Sequence, residues 1–220
     1  MAGLLIALGG FASAWSYRRA QPGAQASVVY YLWALAWWLG IGLREIDQYI
    51  LDALAPDYVL ALAAITGWLA SETHRRLPSA ALAWTATLAV MAAVPLALAQ
   101  HGAHDWPLGG YGLAAWVLFA ITGWRILGSL RAETGSMPGL AHSAWLIAWT
   151  LMLALSLQHL VERLAIAGSW EWTAFALPWL VLAALLQWRP QLLAPPMAGR
   201  FGQWRDSLDG LVVVLVALGW

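Results

Sequence analysis

Eight long apolar runs constrain the fold of this chain more than any other feature of its sequence. A helix needs about 20 apolar residues to cross the ~30 Å hydrocarbon core of a membrane. Hydrophobic residues make up 62% of the chain and charged residues 10%, which is more apolar surface than a water-soluble fold can cover. The runs are Leu4–Tyr17, Val28–Leu43, Tyr58–Ser71, Ala80–Gln100, Leu108–Leu130, Leu140–Leu160, Trp172–Trp188 and Leu208–Trp220.

These runs predict an all-α fold, a polytopic transmembrane helix bundle of about seven or eight spans that forms a single domain over residues 1–220. The first and last runs are too short to span comfortably, so we expect the terminal spans to be incomplete. The chain is therefore predicted to be part of a longer polytopic protein. A signal peptide over Met1–Ala14 is the alternative for the first run, but Arg18 and Arg19 follow that run instead of preceding it.

The arginines predict the orientation of the spans. Only Arg44 and Arg163 fall in even-numbered connections between the runs. Because cytoplasmic connections carry an excess of basic residues, we expect the N-terminus outside and the odd-numbered connections in the cytoplasm. The other nine of the eleven basic residues, all in or beside odd-numbered connections, are Arg18, Arg19, Arg75, Arg76, Arg125, Arg131, Arg189, Arg200 and Arg205.

Charge and composition also exclude several functions. The formal net charge is zero, so the chain has no basic field to hold nucleic acid, and it has no cysteine to act as a nucleophile or a metal ligand. No phosphate-binding loop, dinucleotide fingerprint or nucleophile elbow is found. The sequence predicts no cofactor and no metal, and it predicts membrane lipids and other envelope proteins as partners.

The first candidate site lies at the outer end of the sixth run. Helical spacing places His159 on the same side as Glu162 and Arg163, and Gln158 beside Glu162. Three interpretations are open: a polar cap at the membrane interface, an acid–base or substrate site, or a metal site. The last is disfavoured because metalloprotease helices carry a second histidine where this chain has an arginine.

Two other outer connections carry polar groups. His101, His104 and Asp105 could supply metal ligands, although a solvated turn before Trp106 is the simpler interpretation. The residues from Arg44 to Ala55 predict a short helix lying in the interface plane and ended by Pro56.

That predicted helix begins with a further candidate site. Arg44 and Glu45 follow an aromatic run that contains Trp37 and Trp38. A guanidinium and a carboxylate beside indole rings would suit a lipid headgroup or a sugar, and mutual neutralisation of the charged pair is the alternative. Glu45, His159 and Glu162 are thus the candidate catalytic residues. Arg44, Trp37, Trp38 and Arg163 are the candidate substrate-binding residues.

Three stretches resemble a known family. The stretches YLWALAWWLGIGLREI (31–46), LAHSAWLIAW (140–149) and LSLQH (155–159) are similar to the C-terminal half of bacterial DUF2339 membrane proteins. The resemblance implies a bacterial inner membrane and a longer parent chain. It brings no established reaction and no catalytic residues.

Three classes of function remain open at this stage. A structural or binding component of the cell envelope needs only the helical bundle. An envelope enzyme acting on a lipid-linked or saccharide substrate needs Glu45, His159 and Glu162 to converge, and whether the chain is an enzyme stays open. A transporter is disfavoured because the centres of the runs carry no acidic residue, lysine or histidine.

Overall fold

The computed structural model of the chain describes residues 2–21, 25–165 and 170–219 and contains helices but no strand within these ranges. The all-α prediction is confirmed. Met1 and the predicted end of the last run at Trp220 lie outside the described residues. The helices are α1 (Ala2–Ala20), α2 (Gln25–Tyr49), α3 (Ala55–Arg76), α4 (Ala80–Met91), α5 (Ala93–His104), α6 (Gly112–Leu130), α7 (Met137–Arg163), α8 (Trp170–Trp188), α9 (Pro190–Leu193) and α10 (Arg205–Gly219), with short 3-10 helices at Asp52–Leu54 and Phe201–Gln203.

Within the described residues, five helical segments are long and apolar enough to cross a membrane, so the predicted count of seven or eight spans is not confirmed. The described part of α10 has 15 residues, and α1 ends in Arg18 and Arg19, which lower its mean hydropathy. The helix α8 carries Glu171 in its first turn. The five segments are Gln25–Tyr49, Asp52–Arg76, Ala80–His104, Gly112–Leu130 and Met137–Arg163.

The fourth apolar run forms two helices, α4 and α5, that continue one another across Ala92. Proline has no backbone N–H, so Pro95 leaves the carbonyl oxygen of Met91 without its usual donor. The path stays helical nonetheless, because the Ala92 N–H donates to Leu88 O at 2.9 Å and the Leu96 N–H donates to Ala92 O at 3.2 Å. The run is therefore one span with a local irregularity.

The predicted interfacial helix from Arg44 to Ala55 is wrong. The helix α2 continues without interruption to Tyr49, and the chain leaves the helical conformation at Leu51, which has φ −59° and ψ 138°. Pro56 lies in the first turn of α3 and does not end a helix. The sequence reasoning took Pro56 as a terminator, but proline is equally favoured in a first turn, where its missing N–H has no helical partner to lose.

The chain divides into two compact units, Met1–Ala55 and Pro56–Trp220. The first unit is an antiparallel pair of helices, α1 and α2. A side chain at Gly10 would meet the Ala34 Cβ at 2.9 Å, so small residues allow the two backbones to approach closely. The rings of Tyr17 and Tyr30 stack at 5.3 Å near the turn between the helices.

The second unit is a bundle in which α7 packs against α4, α5, α6 and α8. Its interior is aromatic, with Trp116, Phe119, Trp145 and Trp149 in mutual ring contact at 4.9 to 6.3 Å. Gly123 makes room for one of these rings, because a Cβ there would lie 2.0 Å from the Trp145 ring. The bundle core therefore depends on indole rings fitted against a helix backbone.

Helix α6 is apolar on both faces, which is typical of a helix surrounded by other helices and lipid. Its inner face buries Trp116, Phe119 and Ile126. Its outer face exposes four large apolar side chains at helical spacing, Leu113, Val117, Ile121 and Trp124. A water-soluble helix would carry polar groups on that outer face.

The C-terminal part of the second unit closes around one apolar cluster. Phe201, from the 3-10 turn, packs with side chains of α8 and α10, and Leu146 and Ile147 of α7 lie against the same cluster. The buried members of this cluster are Leu182, Leu186, Phe201, Leu208 and Val212. This packing fixes the long connection between α8 and α10 against the bundle.

Candidate functional site

Polar side chains of the second unit gather at its two ends. The histidine end, where α5 and α7 finish, contains Asp57, Gln100, His104, Trp106 and His159. The arginine end, where α3 and α6 finish, contains Glu72, His74, Arg131, Glu133 and Arg200. The predicted alternation of connections is thus seen within this unit, since Trp106 contacts His159 at one end and His74 contacts Glu133 at the other.

The histidine end is built on a buried carboxylate. Asp57, in the first turn of α3, is 1% exposed. Gln100 Nε2 donates to Asp57 Oδ1 at 2.7 Å, and the Tyr111 backbone N–H donates to Asp57 Oδ2 at 2.9 Å. Each oxygen of the buried carboxylate thus accepts a hydrogen bond. Asp57 therefore joins the beginning of α3 to α5 and to the beginning of α6.

Gln100 extends this network into the bundle. Its side chain is fully buried, and its Oε1 accepts a hydrogen bond from Trp116 Nε1 at 2.9 Å. With Nε2 donating to Asp57, the amide orientation is set by its two partners. Three helices, α3, α5 and α6, are therefore connected by the chain Asp57, Gln100 and Trp116.

His104 completes the buried group. Its Nε2 lies 3.3 Å from Asp57 Oδ2, but the alignment is not that of a hydrogen bond. When protonated, the imidazole would form an ion pair with the carboxylate. Glycine is required at Gly112, beside the Asp57 carboxylate, because a Cβ there would lie 2.1 Å from Pro107 O and 3.4 Å from Asp57 Oδ1.

The predicted site around His159 adjoins this network. The His159 and Trp106 rings stack in parallel, with centroids 5.6 Å apart. Arg163 Nε donates to His159 Nε2 at 3.1 Å, so Nε2 is the acceptor and a neutral ring carries its proton on Nδ1, which is buried without a hydrogen-bond partner. The connection that follows α5 therefore lies against the end of α7.

Glu162 takes no part in that contact. Gln158 Nε2 donates to Glu162 Oε1 at 3.2 Å, which confirms the predicted proximity of these two residues, and both pairs follow i, i+4 spacing. His101 Nδ1 contacts only the Asp105 backbone oxygen of its own turn, at 3.1 Å. Within the described ranges, no three residues among His, Asp and Glu are placed to hold a metal ion.

The remaining predicted site residues belong to the first unit. Arg44 and Glu45 lie on the last turns of α2 with exposed side chains and form no ion pair with each other. Trp37 is seven residues before Arg44 and Trp38 seven before Glu45. In a helix that spacing separates each pair by about 10 Å along the axis. The Trp37 ring instead packs edge to face with Trp33, with centroids 6.0 Å apart.

The arginine end contains a second buried histidine. His74, in the last turn of α3, is 4% exposed. Its Nε2 contacts Glu133 Oε1 at 2.9 Å, and its Nδ1 accepts the Ser79 N–H at 3.1 Å. These contacts tie α3 to the turn after α6 and to the beginning of α4.

Arginines at this end contact both carboxylates and carbonyl oxygens. Arg75 and Arg125 share one carboxylate, that of Glu72, with N–O distances of 3.4 and 3.7 Å. Arg200 Nη1 donates to Arg131 O at 2.9 Å, and Arg131 Nη2 donates to Ala198 O at 3.3 Å. The two connections at this end are therefore joined by reciprocal bonds.

Most of these contacts were not predicted from the sequence. Asp57, Gln100, His74 and Glu133 were not singled out as site residues. An aspartate directly after Pro56 is a signal for a helix first turn, and Gln100 is an isolated amide at the end of a long apolar run. His142, at the beginning of α7, was also overlooked; it is fully buried, and its Nδ1 accepts from Trp204 Nε1 at 3.4 Å.

The part of the chain that the structure describes is thus all-α and contains five helices long and apolar enough to cross a membrane. Polar contacts join the helices at each end of the second unit. No protein-family model, curated protein or solved structure matches the chain.

Proposed function

We propose that the chain is a structural or binding component of the bacterial cell envelope, embedded in the inner membrane with its N-terminus outside. The observation that supports this function most directly is that buried polar groups form hydrogen bonds with one another between helices. Asp57, Gln100 and Trp116 bond to one another, and His74 bonds to Glu133 and Ser79, so these groups hold helices together. Membership of the DUF2339 family is part of the proposal and rests on the stretches 31–46, 140–149 and 155–159.

One observation favours a second candidate function, a membrane enzyme acting on a lipid-linked or saccharide substrate at the outer face. Trp106 stacks on His159, which brings two predicted polar connections together. In this alternative Glu45, His159 and Glu162 would supply acid–base groups. Arg163, Arg44, Trp37 and Trp38 would bind the substrate. The transporter alternative has less support, because the buried carboxylate Asp57 lies at an end of its helix and is fully engaged.

The absence of cysteine makes the orientation directly testable. Thr134→Cys introduces a thiol at the arginine end, and Leu164→Cys introduces one just after α7, both at exposed positions. With intact cells, a membrane-impermeant maleimide should label Leu164→Cys and should label Thr134→Cys only after permeabilisation. The reverse pattern would overturn the proposed orientation, and equal labelling of both would overturn the spanning arrangement.

A complementation assay separates the two candidate functions. In a strain lacking the chain, the variants Glu45→Ala, His159→Ala and Glu162→Ala should restore envelope integrity as well as the wild type does. The Asp57→Ala variant should fail because it destabilises the bundle. If Glu45→Ala or His159→Ala abolishes complementation while the protein accumulates at its normal level, the enzyme interpretation replaces the structural one.

A further inference from the structure

Two connections meet at the arginine end and hold each other through their arginines. The turn after α6 contains Arg131 and Glu133, and the segment between α8 and α10 contains Ala198 and Arg200. Arg200 Nη1 donates to the carbonyl oxygens of Arg131, at 2.9 Å, and of Glu133, while Arg131 Nη2 donates to Ala198 O at 3.3 Å. Arg200 Nη2 also approaches Gln203 Oε1 at 3.5 Å. Each guanidinium is thus held beside the backbone of the other's connection.

All of these acceptors are neutral. Two carboxylates of this end are engaged elsewhere, because Glu133 contacts His74 at 2.9 Å and Glu72 is shared by Arg75 and Arg125. In the part of the chain that the structure describes, neither Arg131 nor Arg200 forms an ion pair with a carboxylate. The fold therefore holds two positive charges in adjoining connections without an internal counter-ion, an arrangement that a bound anion would stabilise.

We propose that Arg131 and Arg200 bind the phosphate group of an anionic phospholipid. Guanidinium groups present several N–H donors in a planar fork that matches phosphate oxygens, and two such groups held by the backbone lose little side-chain freedom on binding. Arg131 retains Nη1 and Nε for an added anion, because only its Nη2 is engaged by a carbonyl oxygen.

The surroundings favour a lipid over free phosphate. The segment that carries Arg200 follows Trp188 and contains Leu192, whose side chains are 80% and 69% exposed. Exposed tryptophan and leucine in an arginine-containing segment after an apolar helix are typical of the boundary between acyl chains and headgroups. An amphiphile can contact the apolar side chains and the arginines at once, whereas inorganic phosphate can use only the arginines.

The inference rests on the membrane embedding in the proposed function, so the test first measures embedding by itself. The full chain is reconstituted in nanodiscs of phosphatidylcholine, which contain no anionic lipid. Helical folding of the chain in these nanodiscs shows that it is embedded in a membrane, whether or not it binds an anionic lipid. Lipid binding is then measured by native mass spectrometry of the detergent-solubilised protein with equal amounts of phosphatidylglycerol and phosphatidylcholine. The wild type should retain phosphatidylglycerol in preference. Failure to enter nanodiscs would refute the embedding, whereas entry without a headgroup preference would refute only the lipid site.

Arg131→Gln is the main variant, because it removes an exposed guanidinium with a single long hydrogen bond to a carbonyl oxygen. We expect it to weaken phosphatidylglycerol binding about fivefold, the factor that corresponds to one arginine near an anionic membrane surface. Arg131→Lys should restore part of the affinity through its charge. The control is Arg19→Gln, which removes an exposed arginine of the first unit that lies over the Trp15 ring and should bind the lipid as the wild type does.

Each of these measurements has a result that would contradict the proposed lipid site. Wild-type affinity in Arg131→Gln, or an equal loss in Arg19→Gln, would overturn the site. Inorganic phosphate at millimolar concentration should compete poorly with the lipid. If it displaces phosphatidylglycerol fully, the site binds free phosphate and the lipid assignment is wrong. Arg200→Gln is a secondary variant only, because it also breaks bonds between the two connections.

Discussion

The two ends of the second unit join helices in the same way but treat charge differently. At the histidine end, the Asp57 carboxylate is buried and receives hydrogen bonds from Gln100 and Tyr111. At the arginine end, Arg131 and Arg200 donate to neutral carbonyl oxygens, and Arg131 is exposed. A charge buried among apolar helices must be paired within the protein, whereas a charge at the rim of the bundle can be neutralised by lipid headgroups or solvated by water. One end is therefore closed on itself, and the other is open to an external anion.

The largest expected effect tests the closed end. Asp57→Ala leaves the Gln100 amide and the Tyr111 N–H buried without an acceptor, each of which costs about 1–3 kcal/mol. We expect the free energy of unfolding in mixed micelles, measured by tryptophan fluorescence, to fall by about 2–5 kcal/mol. Asp57→Asn, which keeps one carboxamide oxygen as an acceptor, should lose less. Glu162→Ala removes an exposed carboxylate at the same end and should leave stability unchanged; a loss equal to that of Asp57→Ala would contradict the contrast.

The next prediction tests whether packing in the core between the two ends contributes as much to the stability of the bundle as the polar contacts at the ends. A Cβ at Gly123 would lie 2.0 Å from the Trp145 ring, so Gly123→Ala should cost about 1–3 kcal/mol through overpacking. Gly128, on the same helix, has open space around it, and Gly128→Ala should be neutral or stabilising by up to about 1 kcal/mol. Thermal unfolding of the two variants in one detergent makes the comparison, and equal midpoints would show that the ring adapts freely.

A smaller effect tests the buried part of the arginine end. His74→Ala removes the contacts with Glu133 and Ser79, and a net hydrogen bond contributes about 0.5–1.5 kcal/mol. We expect a loss of about 1–2 kcal/mol in the same micelle assay. His101→Ala is the matched control, because His101 contacts only its own turn. A loss as large in the control would show that any histidine near a helix end stabilises the bundle.

The smallest effect concerns the ring stack at the rim of the histidine end. A double-mutant cycle with Trp106→Ala and His159→Ala should give a coupling energy of about 0.5–1.5 kcal/mol, the range for paired aromatic rings. Because both rings are only partly buried, the value should fall below the loss in Asp57→Ala. A coupling of zero would mean that the stack does not hold the α5–α6 connection against α7, and it would weaken the enzyme alternative as well.

Most helices were predictable because helix formation under these conditions is local. All eight apolar runs form helices in the described ranges, except for the turn at residues 108–111 and for Ala92 between α4 and α5, since each run by itself favours intrachain hydrogen bonds. The interfacial helix after Arg44 was predicted wrongly because Pro56 can either end one helix or begin the next. That choice depends on where the following turn packs, as the contacts of Asp57 with α5 and α6 illustrate.

The candidate site was only partly predictable, and for the same reason. Periodicity placed Gln158 beside Glu162, because those two residues share one helix. It could not pair His159 with Trp106, which lies on another connection. The catalytic and binding roles of Glu45, His159, Glu162 and the neighbouring residues stay predictions.

The sequence by itself determined the helical class, the apolar runs and the concentration of arginine in alternate connections, because these depend on composition and short-range spacing. Only the tertiary structure decided which polar groups meet. Asp57 and Gln100 are 43 positions apart, and His74 and Glu133 are 59 apart. Such pairs form only when the rotation of each helix about its own axis is fixed, and that rotation follows from close packing at sites such as Gly123 and Trp145.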